Sequence, residues 1–290
     1  MTTHMQDLSA ALSGLVAKIA PSVVSIHSKQ SGSTGFVWRP GLIVTAEDAL
    51  VDDGDARVTL LGGETVPARV VGRDPSTDIA LLGIERSDLS PLTLPAATAA
   101  AGSLALIVGA EEGAATAALG VVSLAGGPWR SLRGGEIDSR IELDARLRRR
   151  GEGAVAVDAA GQVLGMAVFA PRRRVLVIPS TTIARIAPKL ETHGRVPRGY
   201  LGLGLQPVAT VEGGGAGTMV MSVDPKGPGA AAGIHQGDVL VSWDGKQIAH
   251  VRPLLRSLGP DSVGQKVTLE LRRAGQARQV LLTIGERPAD

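Results

Sequence analysis

Cysteine is absent from the 290 residues, which removes a disulfide framework, a thiolate zinc site and a cysteine nucleophile together. Aromatic residues are scarce: Phe36, Trp38, Trp129, Phe169, Tyr200 and Trp243 make up the whole set, and none precedes Phe36. No apolar run reaches the roughly 18–20 residues a helix needs to cross a bilayer, so no transmembrane segment is expected. Residues 1–21 lack the basic stretch, apolar core and small-residue cleavage site of a secretory signal. The sequence as written therefore reads as cytoplasmic, and as periplasmic if a leader had been removed. A strong excess of one charge is also missing, and a formal net charge of +2 gives no basic surface for nucleic acid.

What the chain has in quantity is glycine, at 38 residues, with 17 prolines. Short Val-rich runs such as 23–26, 42–45, 56–61 and 104–108 are separated by turn pairs including Asp53-Gly54, Gly62-Gly63 and Gly126-Gly127. Strands at that spacing without long intervening helices predict antiparallel barrels or sandwiches. The length suits two domains. Helical spacing of Leu12, Leu15, Val16 and Ile19 predicts a helix over 8–19 ending at Pro21. A second helix is predicted over 178–190, capped by Ser180 or Thr181. Residues 96–101 read as a loop, and the polar 191–198, ETHGRVPR, reads as a linker. Beyond it, strands at 201–206, 218–223, 239–243, 266–272 and 279–284, with helical stretches near 229–232 and 251–258, form a small independent module. The expected organisation is a helical segment 1–20, a β-domain 21–190, the linker and a module 199–290.

Two blocks in that module, Gly199-Tyr200-Leu201-Gly202 and VDPKGPGAAAGIHQGDVLVSWDGKQI over 223–248, resemble the PDZ domain. The resemblance implies a peptide added as an extended strand, its terminal carboxylate received by backbone amides at Tyr200, Leu201 and Gly202. It implies an apolar lining from Leu201, Leu203, Val251, Leu254 and Leu258. The same leucines would equally serve as the module's own core.

The β-domain carries APSVVSI at 20–26, GLIVT at 41–45, VVGRDPSTDIALL at 70–82, GQVLGM at 161–166 and IPS at 178–180. Over 20–190 it resembles the HtrA/Deg family of trypsin-like serine proteases. That resemblance implies an all-β-dominated fold: a double β-barrel with the cleft between the barrels, followed by the PDZ domain. Hydrolysis by such a site needs a serine hydroxyl, an imidazole to take its proton and a carboxylate to orient the imidazole. The family's histidine follows the Ile-Val-Thr strand, and here that run reads Thr45-Ala46-Glu47-Asp48-Ala49, so Asp48 holds the histidine position. Asp78 falls at the carboxylate position within STDIALL. The family's Gly-Asn-Ser-Gly-Gly falls on Arg150-Gly151-Glu152-Gly153-Ala154, so Glu152 holds the serine position. No serine lies between Ser139 and Ser180, and the histidines are His4, His27, His193, His235 and His250. The expectation is an inactive serine-protease homologue with no cofactor.

Asp48, Asp78 and Glu152 are expected to converge in the cleft, where their repulsion would be relieved by a protonated carboxyl, by arginines or by a hard cation such as Ca²⁺ or Mg²⁺; no metal is assigned. Two triplets, Arg148-Arg149-Arg150 and Arg172-Arg173-Arg174, are read either as a solvated basic face or as a dock for an acidic protein or a phosphate-bearing ligand. The loop carrying the second triplet looks shortened, so no side-chain pocket is expected. The resemblance implies a trimer built through N-terminal aromatics, none of which precedes Phe36 here, so a monomer, a homo-oligomer and a hetero-complex with HtrA-type proteins all stay open. The leading functional expectation is a protein-binding scaffold that takes peptide C-termini in its PDZ groove. A holdase for unfolded chains is a second reading. A third is an active serine endopeptidase using an unrecognised nucleophile, for example one supplied by another subunit.

Overall fold

The structure is a computed structural model that describes residues 2–28, 31–50, 56–170, 174–209, 216–248 and 250–288. The chain divides into two compact units, Met1–Val196 and Pro197–Asp290.

The first unit opens with α1 (Thr2–Ile19), longer than the predicted 8–19. The apolar spacing begins at Leu8, but nothing between Thr2 and Asp7 breaks a helix, so it extends past the residues that pack. Leu12, Leu15 and Val16 lie against the core and Ile19 is buried, while Met5 and Leu8 stay exposed. There follow β1 (Val23–Ser28), β2 (Ser31–Arg39), β3 (Leu42–Thr45), β4 (Ala56–Thr59), β5 (Thr65–Asp74) and β6 (Ile79–Ile84), closed into a barrel in the order β1-β2-β3-β6-β5-β4. Side chains alternate between inside and outside along a strand, and Val24, Ile26, Val37, Ile43, Val58 and Leu82 fill the interior.

After a coil that includes residues 96–101 come β7 (Leu104–Glu111), β8 (Ala114–Gly126), β9 (Trp129–Arg130), β10 (Glu136–Ile137), β11 (Arg140–Asp144), β12 (Ala154–Asp158), β13 (Val163–Ala170) and β14 (Arg174–Pro179). A second barrel closes in the order β11-β14-β13-β12-β7-β8, and β9 and β10 form a separate hairpin. Strand residues from both barrels, including Phe36, Leu81, Val108, Val155 and Met166, share one buried cluster with Ile183, Ile186 and Leu190 of α2 (Ser180–His193). On β11, Glu142 is buried and takes ion pairs from Arg140 and from Arg174 of β14, at 2.5 and 2.7 Å, so both of its carboxylate oxygens are matched.

Two predicted boundaries need correction. Neither Ser180 nor Thr181 caps α2: Pro179 stands at the cap position, and the Ser180 hydroxyl donates to Pro95 O at 2.5 Å. The helix also runs on to His193, where Gly194 at φ +70° ends it by donating its N–H to Leu190 O. Residues 191–193 are thus helical and Val196 packs in the shared core. The segment read as a linker belongs largely to the first unit, because its glycine is a helix stop and its valine an anchor.

The second unit contains β15 (Gly199–Tyr200), β16 (Leu203–Ala209), β17 (Ala216–Val223), α3 (Pro228–Ala231), β18 (Val239–Trp243), β19 (Lys246–Gln247), α4 (Val251–Ser257), β20 (Lys266–Arg273), β21 (Gln276–Thr283) and β22 (Gly285–Glu286). The sheet order is β16-β17-β18-β20-β21, with β19 on β18 and β15 paired to β22. The last long strand starts three residues before its predicted 279, since Gln276, Ala277 and Arg278 pair with β20 while exposed; no hydrophobic signal marks them. Asp238 is 1% exposed and binds Arg273 through both oxygens at 2.8 Å, and the His235 N–H at 2.9 Å. Burial alone would raise this carboxyl, but the Arg273 hydrogen bonds and charge, with the His235 amide, bring it below its ordinary value. Asp238→Ala strands a buried amide and leaves Arg273 to find water, which should cost about 3 kcal/mol. Urea unfolding of the parent and the variant measures that loss.

Candidate functional site

Asp78 follows a tight loop that Asp74 organises by accepting from the Ser76 N–H (3.1 Å) and from the Ser76 and Thr77 hydroxyls (2.5 and 2.6 Å). At its end Asp78 adopts φ +58°, a left-handed conformation that Asp and Asn tolerate better than most side chains. Its Oδ1 accepts the backbone N–H of Asp48 at 2.8 Å. The carboxylate oxygens of Glu47, Asp48 and Asp78 lie within 4.8 Å of one another, a spacing that suits a hard cation.

Arginines also reach this group. Arg133, at the tip of the β9–β10 hairpin, places Nη1 2.8 Å from Asp48 Oδ1 and 3.5 Å from Glu47 Oε2. It also donates to Pro75 O at 3.2 Å. Arg73 stands 3.3 Å from Glu47 Oε1. Burial pushes Asp78 up to about 7, helped by the charges of Asp48, Glu152 and Glu47 and opposed by the Asp48 amide. Burial likewise raises Glu47 against the pull of Arg73. Sequence reading missed Glu47 as a member of the site, although it adjoins Asp48. It missed Arg133 as well, which is 85 residues from Asp48 and carries no local signal.

Glu152 lies outside the 4.8 Å group of Glu47, Asp48 and Asp78, yet its charge acts on Asp78 and the Asp48 charge acts on it, so the three expected carboxylates neighbour one another and Glu47 completes the closest cluster. The Glu152 carboxylate is drawn to a backbone donor instead: Oε1 accepts the Phe169 N–H at 3.2 Å. Its own carbonyl accepts the Thr34 N–H of β2 at 2.9 Å. Burial is the main cause of its raised pKa, with the Asp48 charge adding and the Phe169 amide opposing.

The Arg148-Arg149-Arg150 triplet is largely paired. Arg148 and Arg150 reach Glu111 at 3.3 and 3.8 Å, and Arg150 reaches Glu112 at 2.8 Å, while Arg149 is exposed. Arg172 and Arg173 lie outside the described residues, and Arg174 is committed to Glu142. Three residues separate β13 from β14. A cavity of about 520 Å³ opens elsewhere on the second barrel, bordered by Ala96, Ala99, Ala125, Asp138, Ile141 and Thr181; none of the expected site residues lines it.

In the second unit, β16 is a sheet edge with α4 packed beside it. Gly202 takes φ +69° and its carbonyl accepts the Asp224 N–H at 2.8 Å, while the Tyr200 hydroxyl binds Asp224 at 3.0 Å; these contacts shape the loop before β16. Of the expected groove lining, Leu201 and Leu254 are buried within the module's core, whereas Leu203, Val251 and Leu258 are half-buried. The two leucines face inward because the sheet needs them to close on α4.

Two closed six-stranded barrels that share one buried core are the trypsin-like peptidase architecture, and residues 33–166 match the trypsin-like peptidase domain model. Residues 199–284 match the PDZ domain. A probable periplasmic serine endoprotease, DegP-like, of Bartonella henselae is 31% identical over 273 residues, 89% of this chain and 54% of the relative. The solved serine endoprotease from Yersinia pestis is 25% identical, with a TM-score of 0.71 over 96% of this chain and 98% of that one. The HtrA-type protease AlgW with tripeptide is 26% identical, with a TM-score of 0.69 over 96% and 98%. The chain therefore carries an HtrA/DegP-type trypsin-like serine protease domain followed by one PDZ domain. It spans about half the length of the curated relatives it matches. Among the described residues, no helix is long and apolar enough to cross a membrane.

Proposed function

We propose that this chain is a non-catalytic HtrA-like protein that binds polypeptides, with peptide C-termini taken at the PDZ groove. The observation that supports the reading is the Glu152–Phe169 contact: Glu152, which the resemblance puts at the serine position, brings a carboxylate bound to a backbone amide rather than a nucleophilic hydroxyl. A carboxylate attacks a peptide carbonyl poorly, and its tetrahedral adduct expels it again. Asp48 supplies no imidazole to take a proton, and the Asp78 carboxylate accepts the Asp48 backbone N–H. Losing one triad member typically costs several orders of magnitude in rate.

The names of the relatives favour the rival reading, an active endopeptidase. Incubation with unfolded casein and a fluorophosphonate probe separates the two. The expected result is intact casein and no labelled band, and reproducible cleavage or labelling by the pure chain would overturn the proposal. The relatives' names also favour a periplasmic setting, and the peptide-bound AlgW structure favours a peptide ligand. Pairing of Arg148 and Arg150 with Glu111 and Glu112 counts against these two arginines serving an acidic partner. At the PDZ groove, a peptide with a free C-terminus should bind at least about tenfold more tightly than its amidated form, because a carboxylate gains charge-assisted bonds from loop amides; fluorescence anisotropy measures the ratio.

A further inference from the structure

Strand β8 outlasts one of its two partners. It pairs with β7 only as far as Val121, opposite Leu104. One further tie remains, in which Val122 O accepts the Gly102 N–H at 2.8 Å and the Val122 N–H donates to Ser103 O at 2.9 Å. The chain then turns away from β8, with the Ser103 N–H closing on Ala100 O at 3.1 Å. On the β11 side the ladder continues, where Leu124, Ala125 and Gly126 stand opposite Glu142, Ile141 and Arg140. On the β7 side no strand faces residues 123–126 among the described residues.

The coil that leads into β7 is unpaired as well. Exposure alternates along 96–100: Ala97 and Ala99 are half-buried against the second barrel's core cluster, while Ala96, Thr98 and Ala100 are exposed. That is the period of an extended segment. Among the described residues the backbone of 96–99 makes no hydrogen bond. Both unpaired stretches border the cavity of about 520 Å³, residues 96–99 with Ala125 and Gly126, and the buried Ile141 joins Ala97 and Ala99 as its apolar wall. Packing does not demand the smallest residue at Gly126, where an added Cβ would meet nothing nearer than 3.6 Å, so the missing side chain leaves room. The volume falls within the roughly 300–1,000 Å³ of ligand pockets. Asp138 is the one charged residue bordering it, and Arg185 pairs with it at 2.8 Å, so the charge that remains favours a neutral occupant.

Free main-chain donors and acceptors beside an apolar wall recognise a molecule that carries main-chain amides of its own. We propose that this cavity is a site for a neutral, extended oligopeptide segment of about four residues, which takes the course that β7 abandons and pairs with the open side of β8 and with residues 96–99. The site lies within the first unit, apart from the PDZ groove, and uses none of Asp48, Asp78 and Glu152. It does not depend on the non-catalytic reading: casein cleavage would sink that reading and leave this site to be decided by the binding measured below.

The test uses the full chain and a fluorescein-labelled hexapeptide of alternating Val and Thr with an amidated C-terminus, which removes the carboxylate a PDZ groove reads and presents one apolar face. Anisotropy is expected to show binding that a peptide with a free C-terminus does not displace. Ala125→Phe puts a ring into the cavity and should weaken binding at least about tenfold, and Thr98→Pro, which deletes one exposed donor from the coil, about fivefold. Methylating the peptide's own amide nitrogens should weaken it at least about tenfold, since a ladder needs those donors and apolar contact does not. Backbone amide exchange at 96–99, fast in the free chain, should slow at least about tenfold with peptide at saturation. No binding, displacement by the free C-terminus, equal binding of the methylated peptide or unchanged exchange at 96–99 would each overturn the proposal. So would parent-like binding by Ala125→Phe, and should that variant fail to fold, parent-like binding by Thr98→Pro.

Discussion

Asp78→Asn is expected to raise the stability of the protease-like unit progressively with pH, from little change near pH 4 to about 4 kcal/mol at pH 8. The carboxyl has an ordinary value of 3.8 and is pushed up to about 7 in the fold. The folded state therefore holds a proton that the unfolded chain has released, so this group's favourable contribution is complete below 3.8 and is lost as pH rises through about 7. At ~1.4 kcal/mol per pH unit, the gap from 3.8 to about 7 gives about 4 kcal/mol. Asparagine is neutral throughout, accepts the Asp48 amide through the same oxygen and tolerates φ +58°. For a unit of this size the gain corresponds to roughly 10 °C in melting temperature at pH 8. Thermal melts of parent and variant from pH 4 to 8 check it, and parallel curves would show that Asp78 is not the strained carboxylate.

That strain explains why the site was only partly readable in the sequence. Asp48, Asp78 and Glu152 could be placed because each sits at a fixed offset from a strand motif, and the barrels hold those offsets. What the three do there depends on residues remote in sequence. Arg133 reaches Asp48 through a hairpin whose two strands are only two residues each, too short for any periodic signal. Glu152 turned toward Phe169 because a backbone donor stood open on β13, and such a vacancy exists only once the ladder has formed. The triplet at 148–150 looked basic until the Glu111-Glu112 turn came beside it.

The fold itself was more legible. Alternating Val-rich runs located β1, β3, β4 and β7 within a few residues, since their inward faces must be apolar. Errors fell where pattern and structure separate: α1 outruns its packed face, β21 begins on polar residues, and Glu191 to His193 extend a helix that looked finished at Leu190. Leu201 and Leu254 show the converse difficulty, for a leucine that lines a groove and one that fills a core look identical in sequence.

Gly153→Ala should be among the most damaging single changes in the first unit, at about 4 kcal/mol or more, and Gly134→Ala should cost only about 1 kcal/mol. The two glycines have nearly the same backbone, φ +88° and +85°, so left-handed strain alone predicts similar costs. Their surroundings differ. A Cβ on Gly153 would lie 2.1 Å from Thr34 O and 2.8 Å from Thr45 Oγ1. Those atoms already bond each other at 2.7 Å, so neither can retreat without breaking the tie between β2 and β3. A Cβ on Gly134 meets nothing within 4 Å. Relief at Gly153 would require the 150–153 segment to lift from β2, giving up the Thr34–Glu152 backbone bond and the Thr34 hydroxyl's bond to Arg150 O at 3.1 Å, and drawing Glu152 from Phe169. Urea unfolding of both variants, paired with amide exchange at Phe169, separates the effects. Equal destabilisation would show that conformation governs both sites, while a large loss confined to Gly153→Ala with a newly exchanging Phe169 amide would tie the close approach at Gly153 to the capped edge of β13.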